Sequence, residues 1–136
     1  MTPKTRCLCG ATRAKFDAHQ ILWSALCHCE SCRRAAGAPV VGWFGVANGA
    51  WSWAGAPPSE FESSPGVVRR FCTTCGSPVA FSSERWPGET HFPAASLENP
   101  EDFDAQLHCW TQDQMDWLKI EDALPNYAQS APSVCE

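Results

Sequence analysis

Seven of the nine cysteines in this 136-residue chain fall into three tight clusters. CLCG holds Cys7 and Cys9, LCHCESCRR holds Cys27, Cys29 and Cys32, and CTTCG holds Cys72 and Cys75. In a reducing setting, thiols at this density serve as metal ligands more often than as disulfides, and an odd total cannot pair completely within one chain. Zn2+ takes about four ligands in a tetrahedron, and Cys sulfur is favoured where the ion holds a fold together. A Cys-x-x-Cys-Gly knuckle such as CTTCG turns the chain so that both sulfurs face one point. In CLCG, the alternation of an extended strand would place both sulfurs on one face. Together the two pairs close a four-sulfur site of Cys7, Cys9, Cys72 and Cys75, which would tie an N-terminal hairpin to a central one.

Cys27, Cys29 and Cys32 then stand one ligand short. Cys27 and Cys29 share a face by the same alternation, and Cys32 can curl back over a turn. His28 would point to the opposite side of an extended stretch and is a poor fourth ligand. Three protein ligands and one exchangeable position is the pattern of a catalytic zinc. The alternative is a second closed site completed by His91, His108 or Cys109. A zinc-ribbon-like interaction module is the other competing reading, but such a module needs only two knuckles and four sulfurs.

The segments that must position these clusters read as β. ATRAKF alternates small or apolar with basic residues, ILWSALCHC runs apolar into the second cluster, and PVVGWFGVA and WSWAG are rich in Val, Trp and Phe. GVVRRFC and PVAFSS flank the third cluster like the arms of a hairpin. ETHFPAASL is a weaker strand, because Pro93 could not sit inside a central ladder. Helical signals are short: CRRAAG as one turn ending at Gly37, and NPEDF with Asn99 as N-cap and Pro100 at the first helical position. The expected fold is all-β and one domain over 1–136, with a core of about 6–127 and a loose tail at 128–136.

Formal net charge is -5, and the ten basic residues are scattered apart from the pairs Arg33-Arg34 and Arg69-Arg70. Seven thiolates and two Zn2+ ions would take the charge three units further negative. No basic face for nucleic acid is expected. No apolar run approaches the roughly 20 residues needed to cross a bilayer. MTPKTRCLCG lacks the hydrophobic stretch of a secretory signal, so a cytoplasmic location is expected.

The ordered motifs CLCGATRAKF, CHCESCRRAAGAP, VVRRFCTTCGSPVAF, SLENPEDF, LHCW and WLKIEDALPNY resemble the glutathione-dependent formaldehyde-activating enzyme family, which also includes centromere protein V. The resemblance covers roughly residues 6–127. It implies a β-tent fold of short antiparallel strands pinned by zinc. It also implies two Zn2+ sites, a structural one at Cys7, Cys9, Cys72 and Cys75 and a catalytic one at Cys27, Cys29 and Cys32. The activity it implies is a carbon-sulfur lyase type, condensing formaldehyde with glutathione to S-(hydroxymethyl)glutathione. A small thiol or aldehyde is thus the expected partner, and a non-catalytic zinc scaffold binding another protein is the alternative. The chain departs from the family pattern at Leu97-Glu98, where Leu-Asp is usual, and in the variable wall SSERWPGETHFPAAS.

Several further residues are candidates around such a site. Arg33 and Arg34 could orient a carboxylate such as those of glutathione. His108, facing the same way as Trp110, could contact substrate or shuttle a proton. Its plainer role is a hydrogen-bonded core histidine beside Trp110. Cys109 is expected to be a small buried hydrophobe, and Cys135, near the terminus, a free thiol. Trp43, Trp51, Trp53 and Trp86 are candidates to wall an apolar cleft over the metal.

Overall fold

The computed structural model describes residues 2–131. The first five strands are β1 (Lys4–Arg6), β2 (Thr12–Phe16), β3 (Ile21–Cys27), β4 (Val41–Ala47) and β5 (Trp51–Gly55). Then follow β6 (Ser59–Ser64), β7 (Val67–Phe71), β8 (Pro78–Ser83), β9 (Glu89–Pro93) and β10 (Leu107–Cys109). One α-helix, α1 (Glu30–Ala36), lies between β3 and β4, and the remaining helical pieces are single 3-10 turns. The all-β expectation holds.

The strands form two sheets. A small sheet has the order β1-β2-β5, and a seven-stranded sheet has the order β10-β3-β4-β9-β8-β7-β6. Neighbours are antiparallel except β10 and β3, which run parallel. β2 shows how alternation sets the layers: Thr12, Ala14 and Phe16 are buried while Arg13 and Lys15 are exposed. Its buried face meets Phe44, Val46 and Phe92 on one side of the large sheet. Phe16, Phe44 and Phe92 stack there with centroids 5.1 to 6.3 Å apart. Burying each such ring contributes about 1.5–3 kcal/mol, so this face is the main apolar clamp between the sheets.

The other side of the large sheet carries a second core of Trp23, Ala25, Val41, Trp43 and Phe81, packed with Cys27, Cys29, Cys32 and Cys109. β4 serves both cores, with Val41 and Trp43 on one face and Phe44 and Val46 on the other. A strand buried on both faces reads as a nearly continuous apolar run, which PVVGWFGVA is. Gly45 interrupts it for a reason: a Cβ there would lie 2.4 Å from Trp23 Nε1. The indole crosses its partner Gly45 and donates to Glu89 Oε1 at 2.9 Å.

Four expectations change. β9 is a central strand, between β4 and β8; Pro93 is tolerated because it is the last residue of the strand. β6 was hidden in SEFESS, whose exposed polar side chains belong to a sheet edge rather than a core. CRRAAG is the C-terminal part of a longer helix that starts at Glu30 behind the N-cap Cys29 and ends on Gly37 at φ 64°. The tail expected to be loose over 128–136 is tied down at Ala128 and Gln129. Tyr127 N–H donates to His108 C=O, and the Trp110 and Gln112 N–H groups donate to Gln129 and Ala128. Cys135 lies outside the described residues.

Gly45→Ala should destabilise the protein by about 1–3 kcal/mol through overpacking against Trp23. Urea unfolding of the metal-loaded protein checks this, and an unchanged midpoint would show that the indole can move aside.

Candidate metal centres

The CLCG segment is not extended. Gly10 N–H donates to Cys7 C=O at 3.2 Å, and Gly10 takes φ 80°, closing a tight turn after β1. The CTTCG knuckle has the same form: Gly76 N–H donates to Cys72 C=O at 2.8 Å, with Gly76 at φ 78°. Both glycines sit in the left-handed region, where a side chain would be strained. The two turns face each other at one end of the sheets and bring all four sulfurs within 4.8 Å of one another. Cys7 and Cys9 Sγ are 3.6 Å apart, and Cys9 and Cys72 Sγ 3.8 Å.

These spacings test the metal reading. A disulfide needs sulfurs at about 2.05 Å. A tetrahedron with metal–sulfur bonds of about 2.3 Å has edges of about 3.8 Å. The observed separations fit that edge. Backbone N–H groups also aim at the sulfurs: Thr12 at Cys7 Sγ (3.3 Å) and Cys75 at Cys72 Sγ (3.5 Å). Cys75 is held near a pKa of about 5, first by its hydrogen bond with the Ser77 hydroxyl. Donors of this kind favour thiolates, the form that binds metal.

The second cluster is built by consecutive elements. Cys27 ends β3, Cys29 caps α1 with its Sγ accepting from Cys32 N–H at 3.2 Å, and Cys32 lies in the helix's first turn. All three are buried, and their sulfurs lie within 4.8 Å of one another, with Cys27 and Cys32 Sγ 3.8 Å apart. Hydrogen bonds from Cys27 and Cys32 draw Cys29 down to a pKa of about 3, while its hydrogen bond to Cys29 heads the causes that push Cys27 up. One negative charge can therefore collect there unaided. A dication would be required for all three to ionise together.

None of the three suggested fourth ligands joins this cluster among the described residues. His91 Nε2 is 2.7 Å from Glu89 Oε1, between Trp23 and Phe81. Cys109 is fully buried within the core that packs with the trio. His108 Nδ1 lies 2.9 Å from His28 Nε2, and its Nε2 lies 2.8 Å from Asp122 Oδ2.

In this last chain the Asp122 carboxylate can only accept, so His108 Nε2 carries a proton, while His28 Nε2 and His108 Nδ1 share one between them. His28 Nδ1 is left without a hydrogen-bond partner. Burial, followed by the neighbouring His108 and Arg33, lowers the pKa of His28 and keeps it neutral. As expected, His28 turns away from the sulfurs. It anchors the Cys27–Cys29 link to β10, where its N–H also donates to Cys109 C=O at 3.1 Å. Trp110 does not share a strand face with His108, because it leaves β10 in the left-handed region at φ 55°.

The arginine pair is engaged elsewhere. Arg34 forms an exposed ion pair with Glu30 at 2.9 Å, while Arg33 Nε donates to His28 C=O at 3.2 Å. The cation whose charge reaches Cys29 and Cys32 is Arg69. The four tryptophans also divide: Trp43 and Trp86 pack with the three sulfurs, but Trp51 and Trp53 pack around Phe92 on the opposite core. Two hollows flank α1. One of about 520 Å³ runs past Arg6, Trp43 and Leu97, and one of about 510 Å³ runs past Phe61, Arg69 and Phe71. Asp122 and Arg69 went unassigned in the sequence because strand register and a distant loop, rather than local spacing, bring them to the site.

The family model described as glutathione-dependent formaldehyde-activating enzyme matches residues 2–113, which include all seven clustered cysteines. The crystal structure of a Rhodobacter sphaeroides protein is similar at a TM-score of 0.58 and 24% identity, covering 73% of this chain and 93% of that one. That likeness is one of fold. A comparison with curated proteins gives no match.

Asp122→Asn should weaken the protein at neutral pH. Its hydrogen bond from His108 holds the Asp122 carboxyl below the ordinary 3.8. The stabilisation is therefore complete above that value and is lost as pH falls through the lower, folded one. The gap in denaturation midpoint between wild type and variant should be widest near pH 7 and close below pH 3.8. A gap that stays constant on acidification would count against the carboxylate's role.

Proposed function

The chain belongs to the glutathione-dependent formaldehyde-activating enzyme family, and from that premise we propose a zinc-dependent enzyme of carbon-sulfur lyase type acting on a small thiol and an aldehyde. The observation that carries this reading is the buried trio of Cys27, Cys29 and Cys32, with no fourth metal-binding side chain among the described residues. Cys7, Cys9, Cys72 and Cys75 would hold a second, structural zinc between the two turns. When bound at the trio, Zn2+ supplies an exchangeable position on a centre of net charge about -1, suited to a thiol sulfur or a carbonyl oxygen.

The balance of the reaction is simple. A thiol sulfur forms a bond to the carbonyl carbon, the C=O π bond breaks, and the thiol proton ends on the former carbonyl oxygen. With glutathione and formaldehyde this gives S-(hydroxymethyl)glutathione. Thiols add to formaldehyde spontaneously, so the protein's part is to bind and orient the two reactants. Cys27, Cys29 and Cys32 hold the ion. His28, His108 and Asp122 brace the Cys27–Cys29 link against rotation. Trp23, Trp43 and Trp86 line the core beside the sulfurs and keep water out.

Cys32→Ser should lower zinc content from two ions per chain to about one and reduce turnover by about a hundredfold or more, with the far-ultraviolet circular dichroism largely kept. Cys72→Ser should instead lose the fold. Zinc K-edge absorption of the wild type should average between three and four sulfurs per ion. Global unfolding of Cys32→Ser, or two closed centres with four protein ligands each, would sink the catalytic reading and leave a scaffold.

A further inference from the structure

Resting on that reading, we infer that the indole N–H groups of Trp43 and Trp110 are catalytic donors, pairing with the aldehyde oxygen as the thiol sulfur bonds to its carbon. An indole nitrogen can only donate, and a buried one ordinarily finds an acceptor. Elsewhere in this fold that holds: Trp23 Nε1 donates to Glu89 at 2.9 Å and Trp51 Nε1 to Asn48 at 3.2 Å. Trp43 Nε1 and Trp110 Nε1 are buried with no partner. Both side chains pack with the core that holds Cys27, Cys29 and Cys32. These unmatched donors therefore lie in the same core as the proposed site.

Register and helix spacing place the two tryptophans around the trio. Trp43 stands opposite Ala25, and Val41 opposite Cys27, so Trp43 and Cys27 are diagonal neighbours on one face of β3 and β4. Ala35 and Ala36, three and four residues after Cys32 on α1, border the same hollow as Trp43. The helix face that carries Cys32 therefore lies toward Trp43. On β10, Cys109 stands opposite Cys27, and Trp110 follows it directly. Along the direction of β3, Trp43 thus lies two residues short of the Cys27 level and Trp110 one residue past it.

Trp110 holds its place against backbone strain. It is the only non-glycine at positive φ among the described residues, where a bulky side chain is uncommon. Glycine would make the same turn freely, so the residue is explained by its indole and not by its backbone. Neither indole donates to a sulfur, although Cys27 and Cys32 Sγ already stand 3.8 Å apart, the edge of a metal–sulfur tetrahedron. An oxygen ligand beside the trio is the acceptor that both lack. As the sulfur–carbon bond forms, the C=O π pair moves onto that oxygen, which the two donors hold until the thiol proton reaches it. Each indole keeps its own proton. Fixed donors beside developing negative charge, in a core without water, act most strongly at that step.

The test uses zinc-loaded protein with glutathione and formaldehyde. Trp43→Phe and Trp110→Phe, which remove the N–H and keep an aromatic ring, should each lower kcat by about ten- to a hundredfold, with KM for glutathione nearly unchanged. Wild-type kcat in either folded variant would overturn the inference. A measurement on the wild type decides the matter if a variant fails to retain two zinc ions. With the indole nitrogens isotopically labelled for NMR, the Nε1–H resonances of Trp43 and Trp110 should move downfield on saturation with the two reactants. Those of Trp23 and Trp51, already paired, should stay in place. Unmoved Trp43 and Trp110 resonances in protein that binds the reactants would sink the inference while leaving the thiol reading standing. A wild type that binds no glutathione and turns over no thiol with formaldehyde would overturn the reading itself, and the inference with it.

Discussion

Thiolates cannot crowd into a buried space without a cation among them. Two charges about 4 Å apart in a medium of low polarity repel far more strongly than in water. This chain nevertheless places four cysteine sulfurs at the meeting point of its two sheets and three more beneath its only α-helix among the described residues. Each cluster is reached by backbone already committed to it, through left-handed glycines in one and a helix cap in the other. Much else in the molecule serves to bring these sulfurs to separations of 3.6 and 3.8 Å. The small sheet is clamped by stacked phenylalanines on one face of the large sheet, while tryptophans seal the other.

The division between what the sequence made legible and what it did not follows distance along the chain. Each of the three cysteine motifs could be recognised from spacing because its own geometry is set within a few residues, even though CLCG achieves it by a turn and not by extension. Double burial of β4 was legible as an unbroken apolar run. β6 was not, since its side chains face solvent and carry no periodic apolar signal. Pro93 misled because a rule about strand interiors says nothing of a strand's last residue. His108 could be marked as functional or structural, but the Asp122 partner that decides between those roles is contributed by a separate loop.

The same limit separates the two arginine pairs. Arg33 and Arg34 are adjacent to the ligands in sequence and were natural candidates for substrate contact. Helix geometry turns Arg34 onto Glu30, and the backbone of His28 occupies Arg33. Arg69 is 37 residues beyond Cys32 by number and reaches the trio only through the register of β7 against β8. Sequence proximity therefore groups the sulfurs, whereas sheet register selects which charges surround them.

The two sulfur clusters also differ in the length of chain each must close. Cys27 and Cys32 are five residues apart, while Cys9 and Cys72 are separated by 63. Loop-closure entropy grows with the logarithm of that separation, so the short loop costs about 2 kcal/mol less to close. Were both clusters to hold metal, a newly made chain could gather the trio around its ion while still largely unfolded, before the second knuckle has been synthesised. The four-sulfur site has to wait for both turns to exist and meet. Loop length alone thus gives assembly a direction: the three local sulfurs are the cheaper to bring together, and the long-range four-sulfur knot the dearer.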